Sequence, residues 1–148
     1  MMKTTILITL MVATFAQVAN AKECTQIEAY AAESVTAYLD SWKNVKLAFK
    51  SFGHCDDGAI GEGFDDAISL LWADQWRNLP EMLKYTKDNK EFKAFIYKRI
   101  WSETVPLKRW KKIVIKAQNE CPSGGKEFCA EIVKADKSAS NTPLEPPR

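Results

Sequence analysis

Apolar residues recur along this chain at steps of three and four, the spacing of one helix face. Between Thr25 and Lys50 the stripe is Ile27, Tyr30, Ala31, Val35, Tyr38, Trp42, Val45 and Phe49. Thr25 is placed to cap this helix, with Glu28 three residues on as its capping-box partner, and Gly53 in "SFGHC" stops it. The next stretch, "GHCDDGAIGEGFDD" (53–66), runs into "AISLLWADQWRNL", where Phe64, Ile68, Leu71, Trp72 and Trp76 keep the helical period. Asp56 or Asp57 supplies its N-cap, since a carboxylate there meets free backbone N–H groups and the helix dipole. Gly58, Gly61 and Gly63 weaken that first turn by up to ~1 kcal/mol each relative to alanine. The expected compensation is close approach of another helix, or of a ligand, to the bare backbone.

Pro80 opens a short helix over 81–86. Asp88 and Glu91, in capping-box spacing, open another that carries Phe92, Phe95, Ile96 and Ile100. Pro106 starts a helix presenting Leu107, Trp110, Val114 and Ala117, and after "CPSGG" a last one holds Phe128, Cys129, Ile132 and Val133. Only "KKIVIK" alternates, and no segment repeats. The pattern predicts an all-α, single-domain bundle of about six helices.

The two ends read differently. Residues 1–21 carry Lys3, an apolar run from Ile6 to Ala16 and a small-residue site at Ala19-Asn20-Ala21, which is the layout of a signal peptide cleaved before Lys22. The run is shorter than the ~20 residues that span a bilayer, and no later segment is long and apolar enough to do so. The helical domain is expected over 22–136. The polar, proline-rich "KSASNTPLEPPR" predicts a disordered tail over 137–148. The expected location is the periplasm.

All four cysteines, Cys24, Cys55, Cys121 and Cys129, fall in the exported part, where an even number reads as two disulfides with three open pairings. No CxxC pair points to zinc or to redox exchange. A straight helix of ~26 residues would run ~39 Å, and a disulfide needs Cα atoms within ~7 Å. Cys24–Cys55 therefore demands a break near Asp40-Ser41. Cys121–Cys129 closes a short loop and is the easiest local bond, which leaves Cys24 to Cys55; this is the favoured pairing.

The acidic stretch fails the tests of two ligands. Counted from Asp56, an EF-hand would need oxygen ligands where Gly58, Ile60 and Ala67 stand. Its five carboxylates, Asp56, Asp57, Glu62, Asp65 and Asp66, would repel phosphate. His54, the only histidine, excludes His-rich zinc sites, and a nucleophile pair with Cys55 would need adjacent residues to aim at one point. No cofactor or metal is called for, and a loose calcium site on these carboxylates is the lesser alternative to a solvated acidic surface. A two-carboxylate hydrolytic mechanism on Asp57 and Glu62, or a cell-wall site using His54, Asp56, Asp57 and Glu62, is the enzymatic alternative.

The opposite charge gathers between Lys93 and Lys116: Lys93, Lys98, Arg99, Lys108, Arg109, Lys111, Lys112 and Lys116 against Glu103 alone, with Tyr97, Trp101 and Trp110 among them. Net charge is only +2, which together with export argues against nucleic acid. Such a face suits an acidic protein or an anionic envelope surface, or it is the solvated side of two amphipathic helices. The acidic and basic stretches could also pair with each other inside the fold.

The pieces "CDDGAIGEGFDDA", "WRNLP", "FKAFIYKRI" and "CPSGGKEFCAEI" resemble a family of small exported bacterial helical proteins, in which they recur in this order. That resemblance implies no catalytic role. The format is also similar to that of periplasmic immunity and inhibitor proteins. The expected function is accordingly non-catalytic binding of a protein partner, by a monomer or dimer, with Asp56, Asp57, Glu62, Lys108, Arg109, Trp110, Lys111 and Lys112 as the candidate contact residues. A structural envelope component is the third reading.

Overall fold

A disulfide decides the shape of the N-terminal third. In the computed structural model, which describes residues 22–141, Cys24 and Cys55 are bonded with their Cα atoms 4.9 Å apart. The expected break is present: α1 (Gln26–Thr36) ends early, and α2 (Trp42–Phe52) restarts with Ser41 as its N-cap, its hydroxyl accepting from the Asn44 amide. The capping box at Thr25 and Glu28 is complete. A 3-10 turn, Gly53–Cys55, then leads to α3 (Gly58–Asp74), capped by the Asp57 carboxylate on the Gly58 amide at 2.8 Å.

The rest follows as α4 (Leu79–Asp88), α5 (Lys90–Tyr97), a 3-10 turn Lys98–Trp101, α6 (Leu107–Asn119) and α7 (Lys126–Asn141). The described residues thus hold seven α-helices and no strand, one more helix than counted from the pattern because the first is a hairpin of two. Asn89, not Asp88, caps α5 by accepting from the Phe92 amide at 2.8 Å. Pro106 is the N-cap of α6 and lies just outside it. The second disulfide joins Cys121 to Cys129, as favoured, across a turn in which Gly124 adopts a positive φ of 81°. By loop-closure entropy the two bridges restrict the unfolded chain by about 4 and about 2.5 kcal/mol respectively. The last helix continues through residues 137–141, so helix persists past the expected start of a tail; residues 142–148, and the expected signal segment 1–21, lie outside the described residues. No helix among the described residues is long and apolar enough to cross a membrane.

At the centre lies α3, with α1 on one side and α6 on another, while α7 packs on α6. Phe64, Ile68, Leu71 and Trp72 of α3 are buried with Trp42, Met82, Phe92, Ile96, Ile113, Phe128 and Ile132. Phe49, Phe64, Phe92 and Phe95 meet ring to ring at centroid distances of 4.8–6.2 Å, and Trp72 meets Phe128 at 5.3 Å. The Trp76 indole donates to the Glu120 carbonyl at 2.8 Å, fastening the turn after α3 to the end of α6.

One expectation is corrected. The stripe read over 25–50 put Ile27, Tyr30 and Tyr38 on one apolar face, but in α1 the buried residue is Ala32, while Ile27 and Tyr30 face solvent, as does Tyr38 in the break. The cause is α3's glycine face. A Cβ on Gly63 would stand 2.7 Å from Thr36 Oγ1 and 2.9 Å from its Cβ, so α1 lies against bare backbone by its small side. Leu107, expected inside α6, is likewise exposed.

Gly63→Ala should therefore destabilise the fold by about 1–3 kcal/mol through overpacking, although alanine is the better helix former by ~1 kcal/mol. Gly61→Ala, whose Cβ would come no nearer than 3.4 Å, to Asp56 Oδ1, with the Asp56 backbone at 3.8–4.0 Å, should be neutral or mildly stabilising. Denaturant unfolding of both variants checks this, and equal effects would contradict the close approach.

Candidate functional site

The acidic and basic stretches meet in the fold. Arg99 sits in line with Phe92, Phe95 and Ile96 and is only 1% exposed. Its Nη2 donates to Asp56 Oδ1 at 2.6 Å, its Nη1 donates to the Phe95 carbonyl, and the guanidinium lies 3.7 Å from the centroid of the Phe95 ring. Arg99 Nε is 3.5 Å from Asp65 Oδ1, near enough for attraction but outside hydrogen-bond geometry. Lys98 takes the other Asp56 oxygen. Burial pushes the Arg99 guanidinium below its ordinary pKa, and the charges of Asp56 and Asp65 oppose that shift.

The pairing continues along α3. Asp65 accepts from Ser102 at 2.6 Å and from Thr104 at 3.0 Å, fixing the turn before α6. Arg109 reaches Asp66 at 2.5 Å and the buried Ser69 hydroxyl at 2.8 Å, and Lys112 reaches Asp74 at 2.6 Å. The indole of Trp110 donates to Asp136 of α7 at 3.1 Å. Beyond this seam, Lys93 pairs with Glu127 and Lys116 with Glu120.

These contacts redistribute the candidate residues. Asp56 is a buried counter-ion, Asp57 a helix cap, and Arg109, Trp110 and Lys112 hold α6 in place. Glu62, Lys108 and Lys111 remain exposed, and none of them forms an ion pair among the described residues. His54 lies at the other end of the acidic stretch with its Nε2 3.3 Å from Glu28 Oε1, off the direction of a hydrogen bond. Cys24, Cys55 and His54 bring donor atoms within 4.8 Å, but the two sulfurs are bonded to each other and offer no thiolate.

The sequence reading missed two things. Arg99 was counted among surface cations, although its place on the apolar stripe at i+4 from Phe95 is a signal for burial. The second is the outer face of α1. Ile27 is 82% exposed and Tyr30 64%, on a helix whose N-terminus is held by a disulfide and a capping box, and Tyr38 in the break after it is 74% exposed.

Two outcomes follow from the geometry. Arg99→Met should lower stability by about 3–5 kcal/mol, because Asp56 is left buried with Lys98 as its sole cation. Adding Asp56→Asn should restore part of that loss, and an additive double-mutant cycle would refute the coupling. The second concerns acid. Hydrogen bonds from Lys22 first, and then from Thr25, hold the Glu28 carboxyl at about 2 rather than 4.5. Since the folded pKa is depressed, the cap's contribution is fully present above pH 4.5 and is lost as pH falls toward about 2. The carboxyl resonance of Glu28 should titrate in that lower range and move upward in high salt, because the group is accessible to counter-ions; a midpoint at the ordinary value would refute it.

No protein-family model matches this chain, nor does any curated protein or solved structure, so a role for it has to be read from the residues themselves.

Proposed function

We propose that this protein is an exported, non-catalytic binding protein that docks on another protein of the cell envelope, in the manner of an immunity-type inhibitor of a toxin or hydrolase. The observation that carries the reading is the outer face of α1. Ile27, Tyr30 and Tyr38 stand exposed along one hairpin. Large apolar side chains left in water mark interaction sites where they gather, and tyrosines are among the residues that dominate binding energy when a partner desolvates them. Their helix is clamped at Cys24, so little conformational entropy is lost on docking. The spacing also suits a helix laid into an apolar groove.

The charged residues take a smaller part in this reading than their clustering suggests. Asp56, Asp66, Asp74, Arg109 and Lys112 are occupied with each other across α3 and α6 or with Arg99. Glu62, Lys108 and Lys111 are left to steer an approaching partner and to fix its orientation.

Affinity purification from a periplasmic extract tests the proposal. The wild-type protein should retain one dominant partner at high salt. An Ile27→Ser, Tyr30→Ser variant should lose about tenfold or more in affinity, while Lys108→Gln, Lys111→Gln should chiefly slow association. Absence of a specific partner, or a partner held equally by the serine variant, would overturn it.

A further inference from the structure

The side of α2 turned away from Trp42, Val45 and Ala48 carries Lys43, Lys46 and Lys50, spaced by three and four residues into a cationic ridge. Between this ridge and α4 and α5 opens a cleft of about 750 Å³, within the ~300–1,000 Å³ typical of small-molecule sites. Its wall is aromatic: Phe49, half-buried, and Tyr85, with Leu47 54% exposed at the rim and His54 at one end.

What sets this cleft apart is that three ammonium groups share one aromatic-walled space. Along α3 and α6 most cations have a carboxylate, whereas none of Lys43, Lys46 and Lys50 forms an ion pair among the described residues. Lys46 instead places its ammonium 4.2 Å from the centre of the Tyr85 ring. The Tyr85 hydroxyl is engaged with Glu81 at 2.8 Å and leaves the ring face to the cleft's cation. Glu91 is the one acid in the lining, on the α5 side. Three uncompensated ammonium groups beside an apolar wall complement a molecule with a single anionic head and a hydrophobic body. A body without charge would leave the lysines unused, and an inorganic anion would leave the wall wet.

We infer that this cleft binds a small amphipathic anion, its alkyl or aryl body against Phe49 and Leu47 and its head among Lys43, Lys50 and the Lys46 ammonium that rests on Tyr85. The site is separate from the outer face of α1 and does not depend on the docking of a protein there.

Decanoate and decyl phosphate, titrated separately into isotope-labelled protein, test the site and distinguish a carboxylate head from a phosphate one. Either should produce saturable amide shifts centred on residues 43–54, Tyr85 and Asn89. A Lys46→Gln, Lys50→Gln variant, both changes lying on the surface, should bind about tenfold more weakly, a loss of about 1.4 kcal/mol. Lys108→Gln, Lys111→Gln should bind as wild type. Decanol should bind more weakly than decanoate by at least about the same tenfold factor. Shifts centred on α1 or around Trp101, equal binding of decanol, equal binding by the Lys46/Lys50 variant, or no saturable shift with either anion would each overturn the proposal.

Discussion

A single buried cation organises this molecule. Arg99 has left water with its whole guanidinium, and such a group is tolerated only where its donors and its charge are answered. Asp56 answers the charge, the Phe95 carbonyl takes a second donor, and the Phe95 ring supplies a polarisable face. Asp56 follows Cys55 directly, so the ion pair and the disulfide hold the same few residues from opposite sides. The entry to α3 is fixed there, and with it the helix on which α1 and α6 rest.

The seam between α3 and the segment from Lys98 to Lys112 also explains why two oppositely charged stretches coexist in a chain of nearly balanced charge. Much of their charge meets in one internal contact, Asp56, Asp65 and Asp66 facing Lys98, Arg99 and Arg109. What the seam leaves over includes a cationic ridge on α2, two lysines on α6, and exposed apolar residues on α1. In the proposed reading, recognition falls to residues that the intramolecular pairing does not use.

Much of the fold was legible because the signals were local. The Thr25–Glu28 capping box, the Asp57 cap and the apolar period of α3 each depend on residues a turn apart. The disulfide pairing was legible through geometry, since bonding Cys24 to Cys55 and breaking the helix near Asp40-Ser41 imply each other. The orientation of α1 was not, because a period read across a break carries the phase of the wrong helix. Arg99 was overlooked because arginine is ordinarily a surface residue, and its burial depends on Asp56, 43 residues earlier. The cleft escaped notice for the same reason: its walls come from α2, α4 and α5, and no single segment announces it.

The contact of Gly63 with Thr36 has an evolutionary consequence. Two positions 27 residues apart share one small volume, so neither can change freely while the other stays. A side chain can enter at 63 only if residue 36 becomes glycine or its backbone draws back, because the Thr36 Cβ would itself stand 2.9 Å away. Relatives that keep the α1–α3 contact should vary at these two positions in step, and the pair would then serve as a record of helix docking written in sequence.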